Sequence, residues 1–175
     1  MSPERQNDAT RGVAMNDLLS KLSSYNLFNY LLPGILFVVL APAITHYSFL
    51  QRDIAIGVFV YYFIGMVVSR IGSIVMEPLL KWSSFLKFAD YKDFVDASKK
   101  DPKIELLSEV NNTYRTLCSL FFLLIMLKLY EWIESRFPVL RNWSALGLAG
   151  LLLVMFLFAY RKQTGYVTKR IKATD

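Results

Sequence analysis

The stretch GMVVSRIGSIVMEPLLK, Gly65–Lys81, sets an arginine and then a glutamate inside an otherwise apolar run. A soluble core helix would gather such charges on a polar stripe, whereas a membrane span would carry them where charge is costly. The surrounding sequence decides between the two. From Leu22 to Gln51 no side chain is charged unless His46 is protonated. About 20 apolar helical residues cross the ~30 Å hydrocarbon layer of a bilayer. The 175-residue chain is 54% hydrophobic, above the ~45–50% of ordinary soluble domains, and its mean hydropathy is +0.35.

Four spans follow: roughly Leu27–Tyr47, containing Pro33-Gly34 and Pro42; Ile54 to about Met76; Leu117 to about Ile133; and Trp143–Tyr160, closed by Arg161-Lys162. Irregular backbone cannot cross lipid, so each is expected to be a helix. Glu77-Pro78 is expected to mark the interface where the second span kinks or stops.

Lysine and arginine counts orient the chain. Fifteen fall on one side, in the N-terminal segment, in the loop between spans two and three and in the tail; the other side holds Arg52, Arg136 and Arg141. The positive-inside rule puts the fifteen in the cytoplasm. Trp132 and Trp143 fall at the outer boundary, Trp82 and Tyr160 at the inner one, as aromatic belts require. The expected fold class is an all-α membrane protein with four transmembrane helices, both termini inside, and a cytoplasmic helical hairpin between helices two and three.

Residues 1–15 are polar and expected to be disordered, with no cleavable signal peptide. Residues 16–80 hold a short surface helix, capped at Asn16 or Asp17, and the first two spans. Residues 81–115 form the hairpin. Trp82, Phe85, Phe88, Tyr91 and Phe94 or Val95 recur at helical spacing, and Asp101-Pro102 opens a second helix that runs straight into span three. Trp82, Phe85, Phe88 and Phe94 are the candidate surface for a cytoplasmic partner. The hairpin's basic residues are offset by Asp90, Asp93, Asp96, Asp101, Glu105 and Glu109, leaving net +1; nucleic acid needs a more concentrated positive field, so direct binding is not expected. Residues 116–162 hold spans three and four. The basic tail, 163–175, suits attraction to anionic lipid.

Within the spans, Arg70 and Lys128 are the intramembrane charges. Arg70 lies near the inner boundary, yet helical side chains lean toward the N-terminus, here away from the cytoplasm. Two readings stay open: snorkelling to headgroups, or facing protein or a water-filled cavity. Gly65, Ser69 and Ser73, spaced at four, form a small-residue stripe expected to pack helices closely and to mediate self-association. Lys128 is expected to pair with Glu131 or to snorkel.

No chemistry-bearing motif appears. His46 and Cys118 are single and far apart, which permits no intramolecular disulfide and no metal site built from them, and no phosphate loop, nucleophile elbow or HExxH occurs. No catalytic, cofactor-binding or metal residues are expected, and the chain reads as non-enzymatic.

The layout, with its hairpin running from KWSSFLKF (Lys81–Phe88) to NNTYRT (Asn111–Thr116), resembles small four-span bacterial inner-membrane proteins of phage-defence systems. These include the membrane subunit of the Kiwa type and four-span effectors of signalling-nucleotide systems. The resemblance is one of size, span number and hairpin placement, and transfers no site residues. It implies a homo-oligomer that perturbs or monitors the bacterial inner membrane with a cytoplasmic partner. A small channel or transporter subunit, or a passive anchor for a cytoplasmic enzyme, are the rival expectations.

Overall fold

The computed structural model describes residues 27–173, and all regular structure among them is helical. The segment expected to be disordered, 1–15, and the surface helix expected from Asn16 lie outside the described residues. Five helices follow one another: α1 (Leu27–Ile44), α2 (Ile54–Trp82), α3 (Tyr91–Lys100), α4 (Lys103–Arg136) and α5 (Val139–Lys172). All but α3 are long and apolar enough to cross a membrane.

Two prolines shape the bundle. Helix α1 opens with a wide π-helical turn, Leu27–Leu31, and α2 contains another, Gly72–Met76. Each wide turn ends two residues before a proline, Pro33 and Pro78. A proline offers no N–H, and its ring crowds the carbonyl four residues back. Widening the preceding turn relieves the crowding without ending the helix. The second span therefore does not stop at Glu77-Pro78 but runs on to Trp82.

Helices α1 and α2 cross with their backbones in contact. A Cβ on Gly34 would overlap the carbonyl oxygen of Tyr61, and one on Gly65 would overlap that of Tyr30. Only glycine permits this approach. Helix α4 completes the core, in which Phe37, Ala41, Val68, Leu120 and Leu124 pack together. Buried hydroxyls tie α4 to α2: Ser119 Oγ donates to the Val68 carbonyl at 2.8 Å. Helix α5 lies at the edge; 6% of its most apolar stretch is buried, against 28% for α1 and α2. It touches the core through Met155, which is buried, and through Phe156, whose ring lies 6.2 Å from that of Phe63.

Beyond Trp82 the helical spacing expected through Val95 is interrupted. Residues 83–90 are non-helical, and Ser84 takes a positive φ of 59°. Helix α3 starts afresh at Tyr91 and buries Val95 completely. The Asp101 carboxylate then accepts the Lys103 amide at 2.9 Å, opening α4, which continues unbroken to Arg136. Helix α5 likewise runs through most of the basic tail.

Candidate functional site

The polar centre of the molecule is Glu77, the glutamate of the opening stretch, with only 7% of its surface exposed. Three helices send cations to it. Arg115 of α4 donates to Oε2 at 3.0 Å, Lys81 of α2 to Oε1 at 3.1 Å, and Lys162 of α5 lies 3.4 Å from Oε2. A buried carboxylate demands such partners, because its desolvation is otherwise uncompensated.

The wide turn in α2 explains why Lys162 is drawn in. The Glu77 amide donates to the Gly72 carbonyl, five residues back. In that register the Ser73 carbonyl would take its donor from residue 78, which is proline. Lys162 Nζ supplies the missing donor at 2.6 Å. The lysine thus serves two acceptors on α2 and ties the outlying α5 to the core. Gly72 allows α4 close to this turn: a Cβ there would stand 3.2 Å from the Arg115 carbonyl oxygen.

Beside the cluster an open cleft of roughly 500 Å³ separates α2 from α5. On α5 its wall carries Phe158, Arg161, Lys162, Gly165, Tyr166 and Lys169, the i, i+3, i+4, i+7, i+8, i+11 stripe of one helix face. The α2 wall includes Ile74, Glu77 and Lys81. Among the described residues, four cations and one carboxylate line the cleft, and that carboxylate is already shared with Arg115. Tyr166 closes one side, 5.7 Å under Lys162 and 6.3 Å from the ring of Tyr91 on α3.

The sequence-derived candidates are distributed as follows. Gly65, Ser69 and Ser73 are covered within one chain, by α1, by Thr116 of α4 and by Lys162 of α5. Gly65 and Ser69 are thus buried in packing within the chain, whereas Ser73 is half-buried and lines the cleft. Arg70 lines a small cavity between α2 and α5 with Ser73, Ala159, Lys162, Gln163 and Tyr166. It is half-buried, and among the described residues it makes no hydrogen bond or ion pair. Lys128 pairs with Glu131 one turn on. Trp82 and Phe85 project freely, 85% and 76% exposed; Phe88 lies under Lys81 Nζ at 4.2 Å, and Phe94 is half-buried against Tyr91.

Sequence reasoning missed the part played by Arg115 and that of Lys162, read as the end of a span. A usable signal existed. Pro78 strands a carbonyl in the preceding turn, and a glutamate at the edge of a span needs cations at matching depth on neighbouring helices.

The opposite end of the bundle holds a second polar cluster. The His46 amide donates to Glu131 at 2.7 Å, its Nδ1 lies 2.6 Å from the same oxygen, and the Tyr47 hydroxyl donates to Glu134. These contacts pin the α1–α2 connection to α4. Among the described residues no group of three or more His, Cys, Asp or Glu side chains is arranged to hold a metal ion.

Fold and site together define an all-α protein with the helices of a multi-pass membrane protein. Comparison with protein-family models, curated proteins and solved structures finds no match to this chain.

Proposed function

We propose that the protein is a non-enzymatic, oligomeric component of the bacterial inner membrane. In this reading the basic end faces the cytoplasm, and the chain senses or perturbs the bilayer together with a cytoplasmic partner. One observation carries the reading. The Glu77 cluster, its surplus cations and the projecting aromatics Trp82 and Phe85 gather at one end of the bundle. That is the arrangement of a protein engaged with an anionic headgroup layer and presenting its hairpin beyond it. Since Gly65 and Ser69 are buried within the chain, self-association would use the little-buried α5. The resemblance in layout makes antiviral defence the setting in which to test the role.

The test is expression in a bacterial host with a potential-sensitive dye and phage challenge. Single cysteines at Asp96 and Asn142, in a Cys118→Ser background, report sidedness. Asp96→Cys should label only after the inner face is opened, and Asn142→Cys from outside. Wild type should depolarise cells or restrict phage, and Phe85→Ser should blunt either effect. Failure to depolarise or to protect would remove the effector role, and outward labelling at Asp96 would reverse the topology.

A further inference from the structure

We infer that the cleft between α2 and α5 is a binding site for the phosphate group of an anionic phospholipid, with Arg161, Lys162, Lys169 and Lys81 as its cationic wall. The inference rests on the reading of the chain as membrane-embedded and deepens it, replacing general attraction of a basic tail by a built site.

Three observations carry it. First, the charge is unbalanced among the described residues. There the one carboxylate on the cleft wall, Glu77, is engaged by Lys81, Arg115 and Lys162. Arg161 and Lys169 on the same wall make no ion pair among the described residues. Arg70, which lines the adjoining small cavity with Lys162, likewise makes no ion pair among the described residues. Several cations held together without counter-charge recruit an anion.

Second, the cleft is amphipathic in the direction a lipid requires. The cations Arg161, Lys162 and Lys169 follow Phe158 along α5, and Lys81 follows Ile74 along α2. Going along either helix the wall therefore changes from apolar to basic in the same sense, because α2 and α5 both run toward the basic end. A phosphodiester among the cations would leave acyl chains along Phe158 and Ile74, in the hydrocarbon layer. A free phosphate would use the cations and leave the apolar wall wet. Basic pockets between transmembrane helices at the cytoplasmic side are a recurrent form of lipid headgroup site.

Third, the cleft has unfilled room beside a glycine. Gly165 lies on its α5 wall, and a Cβ built there meets nothing within 4 Å. Glycine in a helix interior is unfavourable by about 1 kcal/mol relative to alanine, and no packing contact here requires it. The space it leaves is the space a headgroup would fill.

The test uses the full-length protein in detergent, read by native mass spectrometry. Cardiolipin, phosphatidylglycerol and phosphatidylcholine are added in turn, and inorganic phosphate in a separate arm. Wild type should retain cardiolipin or phosphatidylglycerol over phosphatidylcholine. Arg161→Gln with Lys169→Gln, which spares the Glu77 cluster, should weaken that binding about thirtyfold, the loss of two headgroup-level cations. Gly165→Leu should fill the cleft and abolish retention while leaving the helical circular dichroism unchanged. Equal retention of phosphatidylcholine, or retention unaltered in both variants, overturns the inference. Saturation by inorganic phosphate with no anionic-lipid preference also overturns it, assigning the cleft to a soluble phosphate. A chain that stays dispersed without detergent would instead sink the membrane reading itself, so the two failures are separable.

Discussion

Replacing Glu77 by glutamine tests the reasoning about the polar centre directly. The amide keeps the shape of the side chain and removes the charge that Arg115, Lys81 and Lys162 share. Removing one partner of a fully buried ion pair costs about 3–5 kcal/mol, because the other charge is left uncompensated. Here Glu77 is buried, but the side chains of Arg115, Lys162 and Lys81 remain 24%, 27% and 45% exposed. Water then recovers part of their solvation, and an exposed pair contributes about 1 kcal/mol or less. The expected loss lies between these limits, at about 2 kcal/mol, or roughly a thirtyfold fall in the folded-to-unfolded ratio. Equilibrium unfolding in mixed micelles, followed by the fluorescence of Trp82, Trp132 and Trp143, measures it. Arg115→Gln should cost about 1 kcal/mol in wild type and little in the Glu77→Gln background, since the partners act as one unit. A Glu77→Gln protein within ~0.5 kcal/mol of wild type, or an Arg115→Gln cost equal in both backgrounds, would refute a shared buried carboxylate.

Other perturbations follow from the same geometry. Gly34→Ala and Gly65→Ala should each destabilise by about 1–3 kcal/mol, since α1 and α2 must separate, whereas Gly147→Ala, whose Cβ meets nothing within 4 Å, should be neutral or stabilising in the same thermal assay in detergent. Pro78→Ala returns a donor to the turn before it; Lys162→Met should then cost less in this background than in wild type, a coupling that a double-mutant unfolding cycle reads. Ser119→Ala removes the bond to the Val68 carbonyl and should cost about 0.6 kcal/mol, a typical value for hydrogen bonds between membrane helices, by the same unfolding measurement. Tyr47→Phe should loosen the connection between α1 and α2, visible as faster amide exchange at His46 and Tyr47, because the Glu134 carboxylate loses its donor.

How much was legible in the linear chain differs between the helices and the contacts among them. Helix identity was legible wherever lipid leaves no alternative to an internally bonded backbone: the uncharged run through α1, the apolar core of α4, and the abrupt Tyr160-Arg161 boundary of α5. Continuity through the second proline was not. Pro78 reads as a kink or a stop, and nothing near it in sequence supplies a donor for the carbonyl it strands. The donor, Lys162, comes from 89 residues away. Residues 81–115 were legible as two apolar-faced segments, but Ser83–Asp90 keeps helical spacing without helical structure, because spacing reports only which residues could share a face.

The amino-acid order by itself thus determined a chain with four helices long and apolar enough to cross a bilayer, since hydropathy is additive along the chain and needs no knowledge of neighbours. Only the tertiary structure decided what the interrupting charges meet. It turned Gly65 and Ser69 inward onto α1 and α4, gave Glu77 three cations from three helices, and opened a basic cleft beside α5. Ion pairing and close packing act over a few ångströms, between groups whose separation along the chain says nothing of their separation in space.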